Sequence, residues 1–162
     1  MKQLLNIKNL VVDFNTDKGV AHAINDVSFS LNEGETLGIV GESGCGKSVT
    51  ALAIMRLIQS PPGQIVSGKI EFRGENLLEK SEREMRSIRG KDISMIFQEP
   101  MTALNPVFTI GNQLTSVIRN HQKVSRSQAA DLAVEMMEQT NIPEAKKRMK
   151  EYPHQLSGGL RQ

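Results

Sequence analysis

Residues 41–48 read Gly41-Glu42-Ser43-Gly44-Cys45-Gly46-Lys47-Ser48. The stretch matches the phosphate-loop pattern G-x-x-x-x-G-K-[ST] at every fixed position. Each residue type has a physical task. Glycines allow the backbone angles that turn successive N–H groups inward into a nest for phosphate oxygens. A helix beginning near Lys47 adds its positive dipole end. Lys47 is placed to reach the β- and γ-phosphates, and the Ser48 hydroxyl is a hard oxygen ligand suited to Mg²⁺. The flanks have the context the motif requires. Thr36-Leu37-Gly38-Ile39-Val40 is a short apolar run that reads as a buried strand. Ser48 to Ile58 is rich in Ala, Leu, Ile and Met and reads as a helix, closed by Pro61-Pro62-Gly63.

Outward from this unit, the N-terminal side reads as strands. Leu5, Ile7, Leu10, Val12 and Phe14 are mostly two apart, with one irregular step. Ala21–Ile24 and the alternating Val27, Phe29 and Leu31 follow, and Asn32-Glu33-Gly34-Glu35 reads as a turn. On the C-terminal side, Gly68–Phe72 and Ile93–Phe97 read as strands. Ser81 and Glu84 have capping-box spacing for a short helix through Arg89. Pro100 and Pro106 bracket a loop. Ile110, Leu114, Val117 and Ile118 share one helical face, and Ser125 can cap a helix with Ala129, Leu132, Ala133, Met136 and Met137 as its apolar stripe. The predicted class is therefore α/β: strands, a strand–loop–helix unit, then a mostly helical second half.

Composition narrows the function. With 162 residues the chain is about one domain. A net charge of only +2 argues against a dedicated nucleic-acid binder, and 38% hydrophobic residues argue against disorder. One cysteine excludes a disulfide framework and a multi-Cys zinc site. His22, His121 and His154 lack metal-ligand spacing and read as structural or solvated. No apolar run reaches the ~20 residues that span a bilayer, and Lys8 interrupts the N-terminal apolar stretch too early for a signal peptide. Lys146, Lys147, Arg148 and Lys150 read as a solvated face. No N-K-x-D guanine-reading motif occurs, which counts against a GTPase.

A second glycine-rich turn, Leu156-Ser157-Gly158-Gly159-Leu160, pairs an N-capping serine with two glycines at a helix start. It resembles the signature motif of ATP-binding cassette (ABC) ATPases. Phe97-Gln98-Glu99-Pro100 similarly resembles that family's Q-loop. Gln98 lies 51 residues after Lys47, and Ser157 lies 59 after Gln98, room for a small helical subdomain. That spacing disfavours coiled-coil chromosome-maintenance relatives, and the single Cys disfavours excision-repair relatives. Gln98-Glu99-Pro100-Met101-Thr102-Ala103-Leu104-Asn105-Pro106, with Tyr152-Pro153-His154 and Gly41-Glu42-Ser43, is similar to the ATP-binding subunits of bacterial dipeptide, oligopeptide and nickel importers.

The resemblance implies a P-loop fold with an N-terminal antiparallel β-subdomain and a partial RecA-like core over 1–98, a helical subdomain over 99–156, and the start of the signature helix at 157–162. It implies ATP with Mg²⁺ as cofactors. Phe14 would stack on adenine. Gly41, Glu42, Ser43, Gly44, Cys45, Gly46, Lys47, Ser48 and Val49 would hold the phosphates. Ser48 and Gln98 would meet the metal, with Lys47 and Gln98 as the catalytic groups. Ser157, Gly158 and Gly159 would serve the ATP of a second subunit. The implied partners are a second ABC ATPase subunit, identical or paralogous, two transmembrane permease subunits and, indirectly, an extracytoplasmic substrate-binding protein. The implied place is the cytoplasmic face of the membrane. The implied function is ATP-driven import of short peptides, with nickel import as the alternative. Only the family's first half is matched. The Walker B Asp, the catalytic Glu and the switch His would lie beyond Gln162. The 162 residues alone are therefore expected to bind nucleotide at most, as a non-hydrolysing nucleotide-binding or interaction module.

Overall fold

The computed structural model describes residues 2–98 and 103–162. The chain divides into two compact units, Met1–Arg89 and Gly90–Gln162.

The first unit is built on an antiparallel sheet of order β2-β1-β3-β4. Its strands are β1 (Gln3–Thr16), β2 (Gly19–Asn32), β3 (Gly63–Phe72) and β4 (Glu75–Asn76). The alternation read in β1 buries Ile7, Leu10 and Val12 against Ile24, Ile70 and Phe72. The segments 21–24 and 27–31 form one long strand rather than two. Its irregularity is absorbed by bulges. Val12 pairs with Ile24 but Asp13 pairs with His22, so Ala23 is the extra residue. Another bulge is pinned by Asn9, whose Nδ2 donates to Asp26 Oδ1 at 2.6 Å. The turn after β2 forms as expected, with Glu35 N donating to the Asn32 carbonyl at 3.2 Å. Helix α1 (Lys47–Ile54) carries the loop, and α2 (Glu82–Ile88) starts at a capping box formed by Ser81 and Glu84.

Helix α1 ends four residues before the predicted Ile58. Arg56 adopts a left-handed φ of 51°. Its guanidinium donates to the carbonyls of Leu77 and Lys80. Arg89 in turn donates to the carbonyls of Met55 at 2.7 Å and Arg56 at 3.1 Å. Side chains thus satisfy the carbonyls that another helical turn would have used.

The predicted strand Thr36–Val40 is not part of the sheet, and in Ile93–Phe97 only Ile93 forms an isolated bridge. A central parallel strand draws its hydrogen bonds from flanking strands. Among the described residues no strand of the sheet pairs with either segment. Val40 and Ile96 are accordingly about 90% exposed, at 92% and 90%.

The second unit is helical: α3 (Ile110–His121), α4 (Arg126–Gln139), α5 (Ala145–Arg148) and α6 (Gly158–Arg161). Its core joins Ile110, Met137, Ala145 and Leu156, with Leu114, Val134 and Leu160 packed against it. Ser125 caps α4 in a capping box with Gln128. The first amides of α3 are satisfied by the Glu151 and Met149 carbonyls, both at 2.9 Å. Two predicted stripe residues, Val117 and Met136, face outward instead. Arg148 also departs from the solvated reading. It pairs with Glu151 at 2.9 Å and is only partly exposed, and that hydrogen bond raises its pKa further.

Candidate functional site

The loop 41–46 stands at the N-terminus of α1, with Gly46 as the N-cap. Gly46 has φ +92°, and a Cβ there would lie 2.6 Å from the carbonyl oxygen of Ala23. The bulge at Ala23 therefore sets β2 directly against the loop, and only glycine fits between. Thr50 is buried on α1. Its Oγ1 donates to the Gly46 carbonyl at 3.0 Å, and its backbone N–H donates to the same oxygen at 2.8 Å. Neither Ala23 nor Thr50 stands out in the sequence. Thr50 had one available signal, a helix residue four positions after the glycine whose hydroxyl can reach back to its carbonyl.

Lys47 folds back over the loop. Its Nζ donates to the carbonyls of Gly41 and Glu42, both at 2.6 Å, and lies 3.4 Å from Cys45 Sγ. The ammonium is thus held at the loop's centre, and the Cys45 thiol is exposed beside it. The Ser48 hydroxyl is also exposed, on the first turn of α1, whose first turn carries no acidic residue. Glu42 is the one carboxylate of the loop itself, and the Lys47 ammonium together with the N-terminus of α1 suits an anion. A depression of about 370 Å³ runs from Cys45, Lys47 and Thr50 along Leu37, Ile39 and Val40 to Val27 and Phe29.

Phe14 lies in the same unit. It is half-buried and pairs with Ala21 on β2. Its ring packs over Gly63, where a Cβ would meet Phe14 Cε1 at 2.9 Å. Strand β2 therefore links the two features, with Ala21 beside Phe14 and Ala23 beside Gly46.

Gln98 and the Ser-Gly-Gly turn belong to the second unit. Gln98 is exposed, and Glu99 and Pro100, which complete the Q-loop match, lie with Met101 and Thr102 outside the described residues. Ser157 caps α6, its Oγ accepting from Leu160 N at 3.4 Å. Leu156 anchors the turn in the helical core. Neither Gly158 nor Gly159 has a neighbour within 4 Å of where a Cβ would be. Just before the turn, Tyr152 and His154 stack with ring centroids 5.7 Å apart. His22 pairs with Asp13 at 2.8 Å, and His121 packs on Gly90. Among the described residues no three His, Cys, Asp or Glu side chains cluster to hold a metal.

The ABC transporter family pattern matches residues 24–162, which contain the loop and the Ser-Gly-Gly turn. The chain belongs to the ABC transporter family. Among its relatives are the oligopeptide transport ATP-binding protein OppD of Bacillus subtilis (strain 168), 51% identical over 99% of this chain and 45% of its own length. The dipeptide transport ATP-binding protein DppD of the same organism is 48% identical over 100% of this chain and 48% of its own length. OppD of Escherichia coli (strain K12) is 50% identical over 98% and 47%. The chain thus spans about half the length of the curated relatives it matches. Its fold is part of the ABC ATPase fold. It superposes on the dimeric bacterial ABC transporter cassette MJ0796 with a TM-score of 0.82 at 23% identity, covering 98% of this chain and 65% of the cassette. A post-hydrolysis state of MJ0796 bound to ADP and Pi gives 0.83 at 22% identity, with the same coverage. Among the described residues of this ABC family member, no helix is long and apolar enough to cross a membrane.

Proposed function

We propose that the chain binds ATP through residues 41–49 and is the nucleotide-binding half of the ATP-binding subunit of a short-peptide importer. The observation that carries the reading is Lys47, held over a glycine-rich loop at a helix N-terminus by two backbone carbonyls. The loop fits a phosphate group. Its amides and ammonium are donors, and no carboxylate in the first turn of α1 competes. Lys47 holds the phosphates by charge, and the backbone N–H groups of Gly44 through Ser48 orient them. Val49 follows on the same helix, and Phe14 stacks on the base. The exposed Ser48 hydroxyl would supply a ligand for Mg²⁺. Mg²⁺ keeps most of its shell as water and phosphate oxygen, so one hydroxyl without a carboxylate cluster is compatible with it. When bound, the metal neutralises phosphate charge.

Ser157, Gly158 and Gly159 meet the nucleotide of a second ATPase subunit. Two permease subunits place the assembly on the cytoplasmic face of a membrane, with a substrate-binding protein outside. Peptide is the cargo, supported by the 48–51% identity to oligopeptide and dipeptide transport ATP-binding proteins.

Calorimetry with Mg-ATP tests the binding. Lys47→Ala removes a charge-assisted contact of about 2–3 kcal/mol, which is roughly 30- to 150-fold in affinity. Equal affinity of the two proteins refutes the site. Phosphate release by the wild-type chain is expected to stay at the Lys47→Ala level. Peptide cargo is tested by a chimaera in which this chain replaces the matching half of the Bacillus OppD. Restored oligopeptide uptake supports it, and a folded but inactive chimaera counts against it.

A further inference from the structure

The helix that carries the phosphate loop is held at its far end by side chains from elsewhere in the unit. The last turn of α1 contains no basic residue. The cation comes instead from Arg89. Its Nε donates to the Met55 carbonyl at 2.7 Å, and its Nη2 donates to the Arg56 carbonyl at 3.1 Å. The guanidinium also meets Glu82 at 2.6 Å, and the Arg89 side chain is only 17% exposed. Arg56 returns the contact. Its Nη1 donates to the Leu77 carbonyl at 3.1 Å and to the Lys80 carbonyl. Two arginines thus interlock the end of α1 with residues 77–89.

Helix α1 needs such support. It has eight residues, of which only Thr50 and Ala53 are buried. A helix of that length is marginal without tertiary contacts. At the loop end, Ala23 abuts Gly46, and Thr50 reaches the Gly46 carbonyl through its N–H and its hydroxyl. At the other end, the guanidinium satisfies carbonyls that the helix leaves unpaired and opposes the negative end of its dipole. The helix is about 12 Å long, so a tilt of about 10° about its far end moves the loop by about 2 Å. Groups that bind a ligand must be held within about 0.5 Å.

We propose that Arg89 is a positioning residue for the phosphate loop. It touches no nucleotide. It fixes the far end of α1, and through that helix it holds Gly46 and Lys47 in register for phosphate. The inference rests on the nucleotide reading of residues 41–49 and assigns part of that site's order to a residue outside it. Arginine suits the role because its planar fork meets two carbonyls and a carboxylate at once, which a lysine ammonium does not do as well.

Amide exchange on the full chain, followed by NMR, separates positioning from local capping. The N–H groups of Met55 and Leu57, bonded to the Ala51 and Leu52 carbonyls, report the clamped end. The N–H of Thr50, bonded to the Gly46 carbonyl, reports the loop end. Ile7 and Val12, on the central strand β1, report the sheet. In Arg89→Gln, exchange at Thr50 is expected to quicken about tenfold together with Met55 and Leu57, while Ile7 and Val12 stay within about twofold of wild type. Arg89→Lys keeps one donor and should show the same pattern at about threefold, and it decides the matter if Arg89→Gln does not fold. Mg-ATP affinity, by calorimetry, should fall at least fivefold in Arg89→Gln. Faster exchange confined to Met55 and Leu57 makes Arg89 a local cap and overturns the proposal. Equal acceleration at all of these amides makes it a residue of general stability and overturns it too, as does unchanged Mg-ATP affinity in Arg89→Gln. A wild-type chain that binds no ATP, with Thr50 accelerated as expected, supports the clamp and refutes the nucleotide reading.

Discussion

The two glycine-rich turns, 41–48 and 156–160, look alike as sequence and differ as structure. Each sets small residues at the start of a helix. In the first, the protein itself uses the glycines. Gly46 is pressed against Ala23 and held at positive φ, and a Cβ on Gly41 would meet Cys45 Sγ at 2.6 Å. In the second, a Cβ on Gly158 or Gly159 would meet nothing within 4 Å among the described residues. Neither has a positive φ. Nothing among the described residues requires glycine there, and glycine in a helix is costly relative to alanine. The first turn's glycines are explained by the fold. The second's are not explained by the described residues, which agrees with the proposal that they meet the nucleotide of a second subunit.

The comparison breaks first at Gly46. Gly46→Ala puts a methyl carbon 2.6 Å from a backbone oxygen that the sheet holds in place, in a left-handed conformation. Overpacking and the strained φ together should cost about 2–4 kcal/mol. Denaturant unfolding should show a lower midpoint, and ATP affinity should fall with it. A midpoint within error of wild type would mean that β2 does not brace the loop.

The second turn should respond in the opposite sense. Gly158→Ala and Gly159→Ala lie in α6 without a clash, so each should leave stability unchanged or raise it by up to about 1 kcal/mol. If the glycines serve a second subunit, the same variants should abolish any ATP-dependent dimer seen by sedimentation. Loss of stability from either substitution would show that the turn has an internal role, and the contrast with Gly46 would collapse.

The phosphate loop was legible because its information is local: eight consecutive residues specify both the backbone and the charge. The antiparallel strands and the capping serines at 81 and 125 were legible for the same reason. What was hidden is non-local. The brace from Ala23 depends on a bulge that no alternation pattern announces. The end of α1 depends on Arg89, 33 residues beyond Arg56. The stretch Thr36–Val40 has a strand's composition, but a strand is completed by the neighbours it pairs with, and among the described residues no strand pairs with it. The helical faces were only half legible, because Val117 and Met136 obey the period of a helix yet fall at the edge of the buried stripe. Of the candidate site, the sequence placed Lys47 and Ser48 at a helix start but could not show that Lys47 is held by Gly41 and Glu42.

The smallest contrast is between the two capping boxes. In α2 the residue reaching back is Glu84, which bonds Ser81 through its hydroxyl at 2.5 Å and its backbone N–H at 2.8 Å. These bonds hold the Glu84 carboxyl below the usual range. Its neighbour Glu82 is also lowered, chiefly by the hydrogen bond from Arg89 at 2.6 Å. In α4 the equivalent position is Gln128, which does not titrate. A carboxyl lowered in the folded state contributes stability that is fully present above its unfolded value, ~4.3 for Glu, and is lost as pH falls through the folded value. Acidification should therefore loosen the start of α2 below about pH 4.3 and leave the start of α4 unchanged. Both carboxyls are at the surface and screened by solvent, so the effect should appear as local fraying and not as global unfolding. Amide exchange followed by NMR from pH 6 to pH 3, corrected for intrinsic rates, reads it directly. Protection at Glu84 should drop while protection at Gln128 holds. Glu84→Gln should keep the cap and remove the pH dependence. Parallel loss at both helices would mean that acid acts on the whole chain and not through Glu82 and Glu84.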